Sequence, residues 1–326
     1  MIPLVERYRD RLPLGPDDPV ITLGEGSTPL LPAGRLGEQL GVELWLKWEG
    51  SNPTGSFKDR GMTVAVSRAV AAGAEAVICA STGNTAASAA AYGARAGLPA
   101  VVLQPRGAVA VGKLAQARAV GARVLEVRGS FDEALAAARA LADRGTHVLV
   151  NSLNPDRVQG QKTAAFEIVE ELGRTPDVLA LPYGGGGNTR AYALGFKELG
   201  ELPRFLAGAA ERRRETIATA IRISQPAHRA EAEQAYAQSG GEAVPLADDA
   251  IVAAWRSLAR DEGLFCEPAS AAGLAAVIAR RPPPGSVVVC VLTGHGLKDA
   301  EAVDRIADAP VTVDPDPDSI AEAARR

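Results

Sequence analysis

The chain has 326 residues, enough for two α/β cores, with the hydrophobic (47%) and charged (23%) content of an ordinary soluble globular protein. A net charge of −4 supplies no basic face for nucleic acid. No apolar run approaches the roughly 20 residues of a membrane-spanning helix, and Met1 to Asp10 carries charges where a secretion signal needs an apolar stretch, so a cytoplasmic protein without nucleic-acid or membrane partners is expected.

The first loop of interest is Asn52-Pro-Thr-Gly-Ser-Phe-Lys-Asp-Arg60. It places Lys58 in a Gly/Pro/Ser turn just before a helix that starts near Gly61. A lysine at a helix start opposes the helix dipole, which favours its neutral amine or a bound anion beside it. From Ala76 on, strands and helices alternate. Ala76–Ala80 reads as a buried parallel strand, Ser81-Thr-Gly-Asn-Thr85 as a polar turn, and the alanine-rich run to Ala96 as a helix closed by Gly97 and Pro99. The turn at 81–85 suits a carboxylate at a helix N-terminus, or a simple cap by Asn84 or Thr85.

Ala100–Gln104 is the next strand, followed by a helix from about Ala110 to Val120. The intervening Gly107-Ala-Val-Ala-Val-Gly-Lys113 imitates a nucleotide-binding P-loop, but Leu114 stands where a magnesium-binding Ser or Thr is required. A strand at Arg123–Val127, a helix from Asp132 to Arg144 and a strand at His147–Val150 complete the set, which implies a parallel sheet. A second set follows: a helix from about Gln161 to Leu172, a strand at Asp177–Leu181, a helix to about Leu199, helices at 248–261 and 269–279, and a strand over 286–292. Asp314–Ser319 opens a tail with a short closing helix.

Between Asp177–Leu181 and its helix lie Gly184, Gly185, Gly186 and Gly187, then Asn188. One glycine suffices for a turn, and each costs backbone entropy. Four in a row let the backbone wrap an oxyanion, most often a phosphate, at the helix N-terminus. The G-x-G-x-x-G spacing of a dinucleotide fingerprint is absent. Cys79, Cys266 and Cys290 read as small buried hydrophobes, and His147, His228 and His295 show no ligand spacing, so no metal site is expected.

Together these loops resemble the fold type II (tryptophan synthase β-like) pyridoxal-phosphate enzymes, and among them the compact class of threonine synthase. The match runs in order through Gly24–Leu30, Gly50–Met62, Ser81–Thr85, Gly112–Ala117, Asn151–Pro155, Gly160–Thr163, Glu215–Arg222, Cys266–Ser270 and Leu292–Lys298. It implies a two-lobed α/β fold with two open, twisted, mainly parallel sheets flanked by helices and the active site in the cleft. Residues 50–150 would form a small domain, and 1–49 with 151–326 a large one. It implies pyridoxal 5'-phosphate held by Lys58 as a Schiff base, with Phe57 beneath the ring, Asn84 on the ring oxygen, Gly184 to Asn188 on the phosphate, and Thr293 at the ring nitrogen. Ser81, Thr82 and Thr85 would take the substrate carboxylate, and Asn151, Ser152 and Arg157 the phosphate of O-phosphohomoserine, in a homodimer. Lys58 would be the catalytic residue.

The chain departs from the family on the substrate side. The loop that commonly reads Gly-Asn-Ala-Gly-Asn has Gly at 185 and 186, and the Asn missing at 185 is a helper at the substrate phosphate. Ile223-Ser-Gln-Pro226 replaces Ile-Gly-Asn-Pro. The segment 204–214 is several residues short, which predicts a shortened lid or an altered interface, with Glu211-Arg-Arg-Arg214 as a solvated charge run. The alternative is a sibling enzyme with the same cofactor: a threonine or serine dehydratase, or a replacement enzyme on another activated amino acid.

Overall fold

The computed structural model describes residues 2–107 and 114–325. The P-loop-like run and the start of the helix expected from Ala110 thus lie largely outside the described residues. The strands are β1 (Leu30–Pro32), β2 (Glu43–Trp48), β3 (Ala76–Ala80), β4 (Ala100–Pro105), β5 (Arg123–Val127), β6 (His147–Leu149), β7 (Val178–Pro182), β8 (Arg204–Ala210), β9 (Glu242–Leu246) and β10 (Val287–Leu292). They form a six-stranded sheet, ordered β1-β2-β10-β7-β8-β9, and a four-stranded sheet, ordered β5-β4-β3-β6. Among the described residues every pairing of these strands is parallel except β1 with β2.

β3, β7 and β10 are buried along their whole length. Helices cover both faces of each sheet, which is why these strands read as unbroken apolar runs instead of alternating ones. In the large sheet, Ala180, Cys290 and Leu292 pack on one side with the helix Ala272–Arg280, while Leu179, Val289 and Val291 pack on the other with Pro155–Leu172 and Gly187–Glu198. Cys79, Cys266 and Cys290 are free and buried. Among the described residues no helix is long and apolar enough to cross a membrane.

Several sequence expectations change, among them the helix expected near Gly61, which begins at Lys58 so that this lysine lies in its first turn. The helix expected from Gln161 begins at Pro155, because Asn154 accepts from the Asp156 amide and Pro155 fills the first turn, where no N–H is needed. The first part of the segment 204–214 is not a lid. Residues 204–210 are β8, locked between β7 and β9 inside the large sheet, and only the run after it is a surface loop. Within that loop Arg212 and Arg214 are exposed, whereas the Arg213 guanidinium lies 4.9 Å over the Tyr183 ring.

Candidate active site

Strand order brings the candidate loops together. β2, β10 and β7 are parallel neighbours, with Trp48 paired to Leu292 and Cys290 to Ala180. The Lys58 loop, Thr293 and the glycine loop therefore leave one carboxyl edge side by side. In the small sheet β3 and β6 are likewise neighbours, so Ser81–Thr85 and Asn151–Ser152 leave its carboxyl edge together. Ligands in open α/β sheets bind at such edges.

Lys58 opens the helix Lys58–Ala71. Its loop is stitched to the end of β10: the Phe57 amide donates to Thr293 O at 3.0 Å, and the His295 amide to Gly55 O at 2.9 Å. Asp59 accepts from the Thr54 amide (2.7 Å), Thr54 Oγ1 (2.6 Å) and Ser88 Oγ (2.6 Å), tying the loop to the helix Asn84–Ala96. Arg60 is fully buried and donates to both Glu49 and Glu167. Lys58 is thus held between two anchored neighbours. Its Nζ lies 4.4 Å from the Phe57 ring centroid and makes no hydrogen bond to a described residue. Burial pushes this amine down to about 7; the Arg157 charge adds to the fall and Glu267 opposes it.

The helix of Arg157 crosses the helix of Lys58 closely, and the Arg157 charge acts on the Lys58 amine. A Cβ on Gly160 would lie 2.0 Å from Arg60 O, and one on Gly61 would lie 2.8 Å from Arg157 Nε. Only glycine at both positions lets the helices Lys58–Ala71 and Pro155–Leu172 meet this closely. The Arg157 side chain is buried. Nη1 donates to Val150 O at 2.8 Å, while Nε and Nη2 have no partner. A buried guanidinium with two bare nitrogens is costly unless an anion completes it.

Asn151 donates to Ala80 O (2.8 Å) and accepts from the Ala80 amide (2.9 Å), extending the sheet edge. Ser152 lies beside the glycine loop: its Cβ is 3.9 Å from where a Gly187 Cβ would be. Ser81, Thr82, Asn84 and Thr85 are half-buried at the start of Asn84–Ala96. Gly83 is the cap residue and no side chain caps this helix, so the cap by Asn84 or Thr85 does not form. Its first amides remain open to an anion. Asn84 instead turns to Glu267.

The glycine loop starts the helix Gly187–Glu198, also without a side-chain cap. Gly186 has φ +81°, and a Cβ there would meet His228 O at 2.7 Å. Part of the glycine content is therefore demanded by the segment at 221–228 lying against the loop. Gly185 differs, since its nearest neighbour, Ile223 Cδ1, would be an ordinary 3.5 Å away. Asn188 Nδ2 is buried without a partner. Thr293 Oγ1 lies 3.0 Å from Ser270 Oγ, which also accepts from the Gly294 amide.

Sequence reading gave no role to Glu267 or His228. Glu267 is buried behind Asn84, and burial raises its carboxyl to about 7 against the Asn84 hydrogen bond. A phosphate-bearing cofactor with an aldehyde fits this set: a half-buried near-neutral amine, an uncapped glycine loop with an orphaned Asn188 amide, and a hydroxyl just past the adjoining strand. The bare Arg157 nitrogens call for a second anion.

The pyridoxal-phosphate dependent enzyme family matches residues 21–294. The threonine synthase of Synechocystis sp. is 51% identical over 319 residues, covering 91% of this chain and 84% of that protein. The threonine synthase of Mycobacterium tuberculosis is 51% identical over 340 residues, covering 96% and 93%, and that of Methanocaldococcus jannaschii 45% over 344, covering 96% and 85%. The fold is shared with maize serine racemase (TM-score 0.76, 21% identity, 86% of this chain and 91% of that one). It is also shared with the cysteine synthase of Entamoeba histolytica (TM-score 0.76, 20% identity, 88% and 90%).

Proposed function

The chain belongs to the pyridoxal-phosphate dependent enzyme family, and from that premise we propose that it converts O-phosphohomoserine and water to L-threonine and inorganic phosphate. The observation that carries the choice of substrate is Arg157, whose two unpartnered nitrogens lie buried within electrostatic reach of Lys58. A dehydratase acting on threonine or serine brings a single carboxylate and has no use for this second anion site.

Pyridoxal phosphate, when bound, supplies an electron sink that acidifies the C–H bonds of an attached amino acid. Lys58 would carry it, Gly184 to Asn188 would hold its phosphate, Asn84 its ring oxygen and Thr293 its ring nitrogen, with Phe57 beneath. A hydroxyl at Thr293 does not force a proton onto that nitrogen as a carboxylate would, which suits elimination and replacement over transamination. The open amides at 84–86, with Ser81, Thr82 and Thr85, would bind the substrate carboxylate. Arg157, with Asn151 and Ser152, would bind the substrate phosphate.

An amine with a pKa of about 7 both takes and returns protons at neutral pH. Lys58 would move those at Cα, Cβ and Cγ while phosphate leaves Cγ and water adds at Cβ. Residues 50–150, which contain the whole four-stranded sheet, would be the small lobe, and 1–49 with 151–326 the large one. The working form would be a cytoplasmic homodimer, a state that sedimentation velocity measures.

The test is a coupled assay of phosphate release from O-phosphohomoserine by the holoenzyme, with threonine identified as the product. Release of ammonia and a keto acid from threonine, without phosphate release, would move the assignment to a dehydratase.

A further inference from the structure

His228 lies between the two phosphate candidates and touches both. It is 2% exposed. Its backbone N–H donates to Gly185 O at 2.9 Å. Its ring Nε2 is 2.8 Å from Ser152 O. Its Nδ1 is 3.1 Å from Arg190 Nη1 and 3.5 Å from Glu231 Oε1, and Arg190 Nη1 is itself 3.1 Å from Glu231 Oε1. A guanidinium only donates, so Nδ1 accepts and the ring proton sits on Nε2, where it donates to Ser152 O. The glycine loop is shaped to receive this residue. A Cβ on Gly186 would meet His228 O at 2.7 Å, and one on Gly187 would meet ring Cδ2 at 3.2 Å.

The glycine loop follows β7 of the large sheet, and the turn with Ser152 follows β6 of the small one. His228 therefore joins the carboxyl edges of both sheets. We infer that His228 is a positioning residue that fixes the spacing between the glycine loop and the Asn151–Ser152 turn, and so sets where the second phosphate docks relative to the first. The inference rests on the proposed reaction only for the identity of the molecule that bears the second phosphate. Its backbone bond to Gly185 survives any side-chain change, so the glycine loop should keep its shape while the Ser152 turn loses its tether.

The experiment compares holoenzyme of the wild type with H228Q, H228N and H228A. Glutamine carries a donor at about the reach of Nε2; asparagine and alanine do not. Inorganic phosphate is titrated calorimetrically onto each holoenzyme, KM and kcat are measured on O-phosphohomoserine, and cofactor retention is read by absorbance. The expected result for H228A and H228N is about tenfold weaker phosphate binding and an equally raised KM, with kcat and cofactor affinity changed less than about twofold. H228Q should recover most of the loss. Equal losses of cofactor and phosphate, no loss of phosphate affinity, or an H228Q no better than H228A would each overturn the inference. A wild type that binds phosphate but does not turn over O-phosphohomoserine defeats the proposed reaction alone, since the phosphate titration still reads the spacing.

Discussion

The side-chain amide of Asn84 donates to the carboxylate of Glu267, 3.2 Å to one oxygen and 3.3 Å to the other. Asn84 is the residue expected at the ring oxygen of the cofactor, so Glu267 orients that amide and places a titratable charge behind it. Burial raises the carboxyl to about 7, with Asn84, Lys298 and Lys58 pulling it down and Asp299 pushing it up. It is neutral below this value and charged above it. The visible absorption of bound cofactor should therefore change with pH through about 7 in the wild type. In E267Q, which keeps the shape but cannot ionise, the part of the change that Glu267 contributes should vanish, with kcat lowered on the order of tenfold to a hundredfold. Identical titrations would remove Glu267 from the site.

Arg157 predicts a separation of stability from function. Burial lowers its guanidinium to about 10, with Cys79 and Asp59 opposing, and two of its nitrogens are bare. Replacing it with methionine removes an incompletely paired buried charge and keeps much of the volume. R157M should melt at or above the wild-type temperature without substrate. Its KM for O-phosphohomoserine should rise about a hundredfold, the usual scale for losing a buried charge-assisted contact. A marked drop in melting temperature with unchanged KM would make Arg157 a structural residue.

Gly185 and Gly186 are adjacent, yet they should respond oppositely to substitution. Gly186 has φ +81° and faces the His228 carbonyl, whereas Gly185 has ordinary clearance. G186A should destabilise the protein by about 1–3 kcal/mol. G185N should leave stability within about 1 kcal/mol. The family resemblance implies an asparagine here as a helper at the substrate phosphate, so G185N should also lower KM for O-phosphohomoserine. Thermal melts and initial rates on both variants decide it. A G185N that unfolds, or whose KM rises, would show that this chain has reshaped the loop around another group.

The sequence shows most of what lies on one strand or one turn. β5 coincides with its expected range, and β3, β4 and β10 are apolar runs bounded by Gly, Pro or polar turns, the signature of strands buried on both faces. β8 is hard to see because Phe-Leu-Ala-Gly-Ala-Ala lacks the β-branched residues that mark a strand. It exists because β7 and β9 flank it and Gly208 admits the helix Ala272–Arg280, whose Ala272 O would lie 2.0 Å from a Cβ. β9 carries Pro245, which is tolerated because β9 is an edge strand. Lys58 stands out through its motif, and its loop lies against the end of β10 beside Thr293. Glu267 and His228 do not stand out, since the groups they engage lie 183 and 76 residues away. No local pattern encodes such a pairing.

The Arg60 network sets the last prediction, because it anchors the helix that Lys58 opens. Arg60 meets Glu49 at 2.7 Å and Glu167 at 2.6 Å, and Glu167 also meets Lys47 at 3.0 Å and accepts from the Ser27 amide at 2.8 Å. Burial by itself would raise the Glu167 carboxyl; the charge and hydrogen bonds of Arg60, with Lys47, outweigh it and hold the group at about 2, against 4.5 when unpaired. A depressed carboxyl contributes stability that is fully present above its unfolded value and is lost as pH falls through the folded one. The wild type should thus lose stability between pH 4.5 and about 2. E167Q should be weaker at pH 7 by about 3–5 kcal/mol, since Arg60 and Lys47 lose a buried partner. Its stability should also fall less steeply over the acid range. Urea unfolding at pH 7, 5 and 3 measures both, and parallel pH curves for the two proteins would show that the acid-labile carboxylate lies elsewhere. If the network holds Lys58 in place, E167Q should in addition release cofactor at lower urea than the wild type, because loosening Arg60 frees the first turn of the helix that carries Lys58.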